Sequence, residues 1–307
     1  MLLGFPEYAA QATALAAAAG MQCRIIDVHR FPDGESRLTL PPALPTDVTI
    51  CRSLDQPNDK LVELLLAAAT ARDLGASRVT LVAPYLCYMR QDMAFVPGEA
   101  VSQRIVGRLL AERFDAVITV DPHLHRVNDL RAAIPSAAAV ALSAAPVVAQ
   151  FLRARLDAPL LLGPDSESRP WVEAIAGAAG FAAAVATKLR TGDRQVRIDL
   201  PAIDLCAREV VLVDDVASTG CTLARAAEQC LGRGAARVHV VVTHGLFVGD
   251  AIDRLKSAGV DRIWSTDSVP HATSVIHLAM MLAAAVRRVA AGAEVQQTPG
   301  HVEQESQ

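Results

Sequence analysis

The run Val210–Thr222, VVLVDDVASTGCT, joins an apolar stretch to two adjacent carboxylates and then to a turn of small and hydroxylic residues. Small residues in such a turn let backbone N–H groups approach an anion without interference from Cβ atoms, and Gly220 is the least hindered of them. Ser218, Thr219 and Thr222 add hydroxyl donors, Cys221 lies among them, and a helix predicted to begin near Leu223 adds the field of its N-terminus. This is the chemistry of a phosphate cradle. Asp214 and Asp215 stand beside it as acceptors, one sugar's length away, and suit the vicinal hydroxyls of a ribose 5-phosphate. In open α/β sheets ligands sit at strand ends of this kind.

The elements that must position the loop are legible on both sides of it. Leu64–Leu86, LLLAAATARDLGASRVTLVAPYL, and Leu223–Leu246, LARAAEQCLGRGAARVHVVVTHGL, each read as an Ala-rich helix, a glycine, Ala-x-Arg-Val and a buried strand. The glycines Gly75 and Gly234 are roughly 160 residues apart, one domain length, which predicts a duplicated domain. Further strands are expected at Arg24–Val28, Asp47–Ile50, Ala116–Val120, Leu160–Leu162 and Ala182–Ala186, with Val210–Val213 leading into the acidic pair and helices between them. The pattern is α/β: two similar domains, each a mainly parallel sheet flanked by helices. The expected boundaries are 1–145 and 146–293, with Pro146 at the passage, a helix from about Ala272 to Ala291 closing the second domain, and a polar tail at 294–307.

The 307 residues accommodate two domains of about 150 residues each. With 52% hydrophobic and 4% aromatic residues, the cores must be filled mainly by Ala, Val, Leu and Ile. A net charge of -4 with scattered Lys and Arg offers no continuous basic track, which argues against nucleic-acid binding. The six cysteines form no CxxC pair and read as reduced, mostly buried thiols. The Ala-rich N-terminus has no basic stretch of the signal-peptide kind, and no run of about 20 apolar residues suggests a membrane span, so a soluble cytoplasmic protein is expected.

Val210–Thr222 resembles the PRPP-binding signature of the type I phosphoribosyltransferase fold: apolar strand, Asp-Asp, two residues, a Ser/Thr-rich turn with Gly, then Thr. The resemblance implies two type I phosphoribosyltransferase-like domains, but enzymes that make PRPP and enzymes that consume it share the loop. Other segments decide. Arg30–Leu40, RFPDGESRLTL, reads by itself as a tight turn between strands. It also resembles the RFPDGE loop of the ribose-phosphate pyrophosphokinase family, which reaches across a subunit interface to a neighbour's adenine. That implies a stacking role for Phe31, acceptor roles for Asp33 and Glu35, and a homo-oligomer of at least two chains.

Pro84–Asp92, PYLCYMRQD, is similar to the family's PYxxYxRQD and implies that Arg90 meets the polyphosphate while Gln91 and Asp92 bond the nucleoside. Gln56–Glu63, QPNDKLVE, matches the family's start of the following helix, with Pro57, Asn58 and Asp59 as capping chemistry. Val117–His125, VITVDPHLH, resembles ITVDLH, with Pro122 in place of Leu. It implies that His123 lies near Mg·ATP, with His125 an extra imidazole. Ala186–Arg190, ATKLR, fits the spacing of the family's Lys-x-Arg on a loop that closes over ATP, which makes Lys188 and Arg190 the catalytic cations. Leu161–Val172, LLGPDSESRPWV, stands where the family has SPDxGG. Asp165 survives there as a metal or ribose contact, but Glu167 and Ser168 replace a Gly pair that lets backbone approach a diphosphate.

The resemblance implies transfer of the β,γ-diphosphoryl group of ATP to the C1 hydroxyl of ribose 5-phosphate, with Mg²⁺ as cofactor held by His123 and Asp165. The alternatives are a non-catalytic PRPP-binding regulatory homologue and a PRPP-consuming phosphoribosyltransferase.

Overall fold

The computed structural model describes residues 1–124, 129–135, 138–190 and 196–293, the backbone alone at 188–190 and 196–197. The chain folds as two compact units, one comprising Met1–Ser143 and the segment from Leu278, the other Ala144–His277.

The first unit runs β1 (Leu2–Gly4), α1 (Ala9–Ala19), β2 (Cys23–Ile25), β3 (Asp27–Arg30), β4 (Ser36–Thr39), β5 (Asp47–Cys51), α2 (Pro57–Asp73), β6 (Arg78–Ala83), α3 (Ser102–Ala111), β7 (Ala116–Val120), α4 (Leu130–Ala133) and β8 (Ala138–Leu142). Six strands form a parallel sheet in the order β2-β1-β5-β6-β7-β8, and β3 and β4 form a separate antiparallel ribbon. The second unit runs α5 (Ala145–Arg153), β9 (Leu160–Gly163), α6 (Arg169–Ala179), β10 (Ala182–Val185), β11 (Thr187–Arg190), β12 (Val196–Asp199), β13 (Glu209–Ala217), α7 (Cys221–Gly232), β14 (Arg237–Gly245), α8 (Ala251–Ser257), β15 (Arg262–Thr266) and β16 (Ser274–Ile276). Its parallel sheet has the order β10-β9-β13-β14-β15-β16, with β11 and β12 as the ribbon.

The second order repeats the first strand for strand. Central strands such as β6 and β14 are buried from their second residue onward, as apolar strands covered on both faces must be. Gly75 and Gly234 follow α2 and α7 with φ of 100° and 88°, a left-handed conformation that glycine adopts without a Cβ penalty. The core of the first unit is built on Phe5, Ile50, Leu64, Leu81 and Val117, and that of the second on Leu162, Leu212, Leu223, Val240 and Leu255.

Several expectations need correction. The closing helix, α9 (Ala279–Ala290), begins later than the pattern suggests because Ser274–Ile276 is β16, and it packs on α1 in the first unit. There Arg78 Nη2 donates to the Val289 carbonyl at 2.6 Å and Arg287 Nη1 to that of Ala18 at 2.7 Å. Helix α5 covers α6 of the second unit in the corresponding way, so each repeat contributes its last helix to the other unit. The Arg24–Val28 run divides into β2 and β3 around the fully buried Ile26. Strand β13 extends to Ala217, which puts Asp214 and Asp215 inside the ladder with β14. Helix α2 starts from Gln56 with φ 50° and no side-chain cap: Asn58 instead accepts from the Tyr88 hydroxyl, and Asp59 from Arg30. All six cysteines are free, but only Cys51, Cys87 and Cys230 are buried, and burial pushes the Cys87 thiol to about 12 and that of Cys230 to about 11.

A buried charge network anchors the first ribbon. Arg52, just past β5 and 1% exposed, donates from Nε to Glu7 at 2.7 Å and from Nη2 to Glu63 at 2.5 Å, with its guanidinium 3.8 Å over the Phe5 ring. Glu63 of α2 also accepts from Ser36 Oγ at 2.7 Å and faces Arg30 at 3.3 Å, which ties helix to ribbon. Burial works to raise the Glu63 carboxyl, but hydrogen bonds from Ser36 and Arg52 and the charges of Arg52 and Arg30 outweigh it and hold the group below its ordinary value. A depressed carboxyl stabilises the fold above its unfolded pKa, and that contribution is lost as pH falls through the lower folded value. We therefore expect Glu63→Gln to cost about 1–3 kcal/mol in urea unfolding at pH 7, because Arg52 loses one of its two carboxylate partners and keeps Glu7. The deficit should shrink below the ordinary carboxyl value of 4.5, and a pH-independent deficit would contradict the assignment.

Candidate active site

The cradle is assembled where β13 meets α7. Ala217 ends the strand, Ser218–Gly220 form the turn, and α7 begins at Cys221, two residues earlier than the sequence pattern suggests. Gly220 caps the helix at φ 70°, and a Cβ there would meet the Ala251 carbonyl at 3.3 Å, so a side chain would face both a strained backbone and a tight contact. The turn is held from behind by the connection after β14: Ala217 O accepts from the amides of Leu246 and Phe247, and Ser218 O from that of Val248. Ser218 and Thr222 are half-buried, while Thr219 and Cys221 are exposed at the mouth.

Beside the cradle the acids converge. Asp215 and Asp165 are buried, and Asp214 Oδ1 accepts from the Asp215 amide at 3.0 Å. Burial, then the negative charges of Asp215 and Asp165, push the Asp214 carboxyl well above its ordinary value. Asp165 follows β9 in a turn closed by Ser168, whose Oγ donates to the Asp165 carbonyl at 2.6 Å. Ser168 Oγ sits 2.3 Å from where a Cβ on Gly163 would fall, so the serine fills the space that this glycine leaves.

The duplicated fold supplies an internal control. In the first sheet Asp47–Cys51 pair with Arg78–Val82, and in the second Glu209–Val213 pair with Arg237–Val241, so the next residues, Arg52 and Asp214, occupy equivalent strand ends. The Leu-Leu-Gly of β1 likewise matches that of β9, and the next acid falls three residues on in one unit, at Glu7, and two residues on in the other, at Asp165. In the first unit the strand-end residue and the nearby acid carry opposite charges and bond each other, Arg52 to Glu7. In the second both are carboxylates, and Asp214 is raised. One site is neutralised from within the fold, whereas the other favours a cation or hydroxyl donors from outside. Oxygen-only donors suit Mg²⁺, which keeps much of its water and shares its other ligands with substrate phosphates. Among the described residues no three His, Cys, Asp or Glu side chains form a closed metal cage.

The remaining expected residues lie in both units. Phe31, Asp33 and Glu35 occupy the turn of the β3–β4 ribbon, where Phe31 is 39% exposed and Asp33 Oδ1 accepts from the Glu35 amide at 3.2 Å. Asp33 thus shapes the turn as well as lining it. Arg90 is exposed, Gln91 half-buried and Asp92 buried in the loop after β6, and His123 is half-buried after β7, the neighbouring strand. His123 belongs to the first unit and Asp165 to the second. Lys188 and Arg190 are on β11, opposite Ile198 and Val196, in the ribbon that duplicates β3–β4. His125 and the segment 191–195 lie outside the described residues.

Comparison with known proteins identifies the family. Residues 2–113 match the family model described as the N-terminal domain of ribose phosphate pyrophosphokinase, and residues 197–297 match the phosphoribosyl synthetase-associated domain. The ribose-phosphate pyrophosphokinase of Methanopyrus kandleri is 34% identical over 86% of this chain and 90% of its own length, and that of Halobacterium salinarum is 34% identical over 93% and 100%. The chain belongs to the ribose-phosphate pyrophosphokinase family. The crystal structure of phosphoribosylpyrophosphate synthetase from Mycobacterium smegmatis superposes with a TM-score of 0.83, covering 95% of this chain and 99% of that one at 23% identity, which establishes the common fold.

Sequence reasoning missed Arg52 and Glu63, which look like ordinary helix and strand-end charges, and Arg254 of α8, whose Nη1 donates to the Thr219 carbonyl at 2.6 Å. The available signal for Arg254 was its i,i+4 spacing from Asp250 just beyond the next strand. Asp214→Asn tests the acid cluster. A raised carboxyl destabilises the fold once ionised, so the penalty grows as pH rises above the unfolded value of 3.8. We expect the variant, without ligand and in chelator, to melt higher than the parent at pH 7. The gain should vanish below about pH 4, and an equal or lower midpoint at pH 7 would contradict the account.

Proposed function

We propose that this chain makes phosphoribosyl pyrophosphate from Mg·ATP and ribose 5-phosphate, releasing AMP. The observation that carries the reading is the pair of unlike strand ends: an acid pair with an anion cradle in the second unit, and a self-neutralised Arg52–Glu7 pair in the first. The 5-phosphate sits on Ser218, Thr219, Gly220, Cys221 and Thr222. Asp214 and Asp215 accept from the 2- and 3-hydroxyls, an arrangement that fixes the anomeric oxygen for attack. That oxygen attacks the β-phosphorus of ATP, the bond from β-phosphorus to the α,β-bridging oxygen breaks, the bridging oxygen leaves on AMP, and the C1 hydroxyl proton passes to solvent.

The nucleotide belongs to the first unit, with Phe31 stacked on the base, Asp33 and Glu35 accepting from its exocyclic amine, Arg90 on the polyphosphate, and Gln91 and Asp92 on the nucleoside. Exposure of Phe31 at the tip of a ribbon supports service to a neighbouring chain, hence a homo-oligomer. Mg²⁺, when bound, neutralises the polyphosphate. His123 and Asp165 are the residues we assign to hold it. Lys188 and Arg190 supply positive charge to the transferred and leaving oxygens.

Glu167 and Ser168 at the diphosphate loop favour a second reading, a non-catalytic PRPP-binding homologue. A PRPP-consuming transferase would leave the Phe31 turn, Arg90–Asp92 and the Lys188 ribbon without a role. Chromatography of AMP in mixtures of Mg·ATP and ribose 5-phosphate tests the proposal: stoichiometric AMP and PRPP support it, and no AMP overturns it in favour of the non-catalytic homologue or the transferase, which PRPP consumption with a nucleobase then tells apart. Lys188→Ala should lower turnover about a hundredfold, ~3 kcal/mol of barrier, without shifting the melting midpoint. Unchanged turnover would remove Lys188 from the mechanism.

A further inference from the structure

A phosphate cradle works only if successive peptide units turn their N–H groups toward the anion, and the structure shows what turns them. In a trans peptide the carbonyl and the N–H point in opposite directions, so pinning a carbonyl behind the loop aims the next amide out of its front. The carbonyl of Ala217 is pinned by the amides of Leu246 and Phe247, both at 3.0 Å, which orients the N–H of Ser218. The carbonyl of Ser218 is pinned by the amide of Val248 at 2.9 Å, which orients the N–H of Thr219. The third peptide is held differently: the Thr219 carbonyl accepts from Arg254 Nη1 at 2.6 Å, a side chain in place of backbone. This is also the peptide most able to reverse, since its second residue is Gly220 at φ 70°.

Arg254 is itself fixed. Its Nη2 donates to both carboxylate oxygens of Asp250, at 2.8 and 2.9 Å, one turn earlier at the start of α8, and its Nη1 also contacts Cys221 Sγ at 3.0 Å. The planar fork holds two directions at once, which a lysine ammonium does not reproduce. Ala251 and Leu255 flank Arg254 on the same helix and pack against Gly220, so α8 presents both the guanidinium and the surface on which the turn rests. The guanidinium also adds a positive charge behind a loop meant for an anion.

We propose that Arg254 is a positioning residue for sugar-phosphate binding. It locks the Thr219–Gly220 peptide with the Gly220 N–H facing the phosphate, and Asp250 locks Arg254. The proposal rests on the reading of Ser218–Thr222 as the ribose 5-phosphate cradle. Calorimetric titration of the full chain with ribose 5-phosphate, and separately with Mg·ATP, tests it on Arg254→Ala, Arg254→Lys, Asp250→Asn and Thr222→Ala. Arg254→Ala should weaken ribose 5-phosphate about tenfold or more while leaving ATP affinity within about twofold. Arg254→Lys should recover part of the loss. Asp250→Asn, a change at an exposed side chain that folding tolerates, should weaken the sugar phosphate severalfold in the same selective way. Ribose 5-phosphate affinity unchanged in Arg254→Ala but reduced in Thr222→Ala would overturn the role of Arg254 and leave the cradle standing. Equal losses for both ligands would mark Arg254 as structural only. Absence of ribose 5-phosphate binding by the unaltered chain would overturn the cradle and the proposal together.

Discussion

Like charges held together at the carboxyl edge of the second sheet are the constraint on which the functional reading turns. Asp214, Asp215 and Asp165 are placed by strands whose other residues are committed to a buried parallel ladder, so the carboxylates cannot separate without breaking the sheet. Burial and mutual repulsion raise Asp214, and relief has to come from protonation, from hydroxyl donors or from a cation. At the equivalent edge of the first sheet the fold supplies its own relief through Arg52, which Glu7 and Glu63 embrace. The two equivalent strand ends therefore differ in charge, Asp214 in the second unit and Arg52 in the first, and the first consolidates its own unit.

The same economy runs through the rest of the architecture. The ribbon between the second and third sheet strands carries Phe31, Asp33 and Glu35 in one unit and Lys188 and Arg190 in the other, so the two stretches assigned to the nucleotide and to charge stabilisation are copies of one structural device. In the first unit the ribbon is tied down through Ser36 and Arg30 to Glu63, and through Glu63 to Arg52. The placement of α9 in the first unit makes that unit complete only once the C-terminal helix has been made, whereas the second unit is the continuous segment Ala144–His277.

Much of this was legible in the residues. Helix, glycine and Arg-Val strand starts recur in sequence because the left-handed C-terminal turn and the buried parallel strand each restrict composition severely, and Gly75 and Gly234 adopt the conformation their positions imply. The turn between β13 and α7 was legible for the same reason, since few residue types suit the left-handed helix start at Gly220. Three kinds of feature were not. Short or Ala-rich strands such as β1 and β8 have too little pattern to separate from their surroundings. The destination of α9 is a tertiary fact, because an Ala-rich amphipathic helix fits either unit by composition. Arg52, Glu63 and Arg254 look like surface charges until the fold brings their partners from distant elements, and the continuation of β13 through Asp214 and Asp215 required knowing that β14 pairs with them.

The central claim is that the second unit's strand end receives the sugar phosphate while the first unit's equivalent does not. A crystal structure of the chain soaked with ribose 5-phosphate and Mg²⁺ addresses it directly. The account predicts the 5-phosphate on the amides following Ala217 and the ring hydroxyls on Asp214 and Asp215, with Arg52 still bonded to Glu7 and Glu63. A sugar phosphate bound at Arg52, or one whose phosphate lies against the acid pair in place of the Ser218–Thr222 turn, would contradict it.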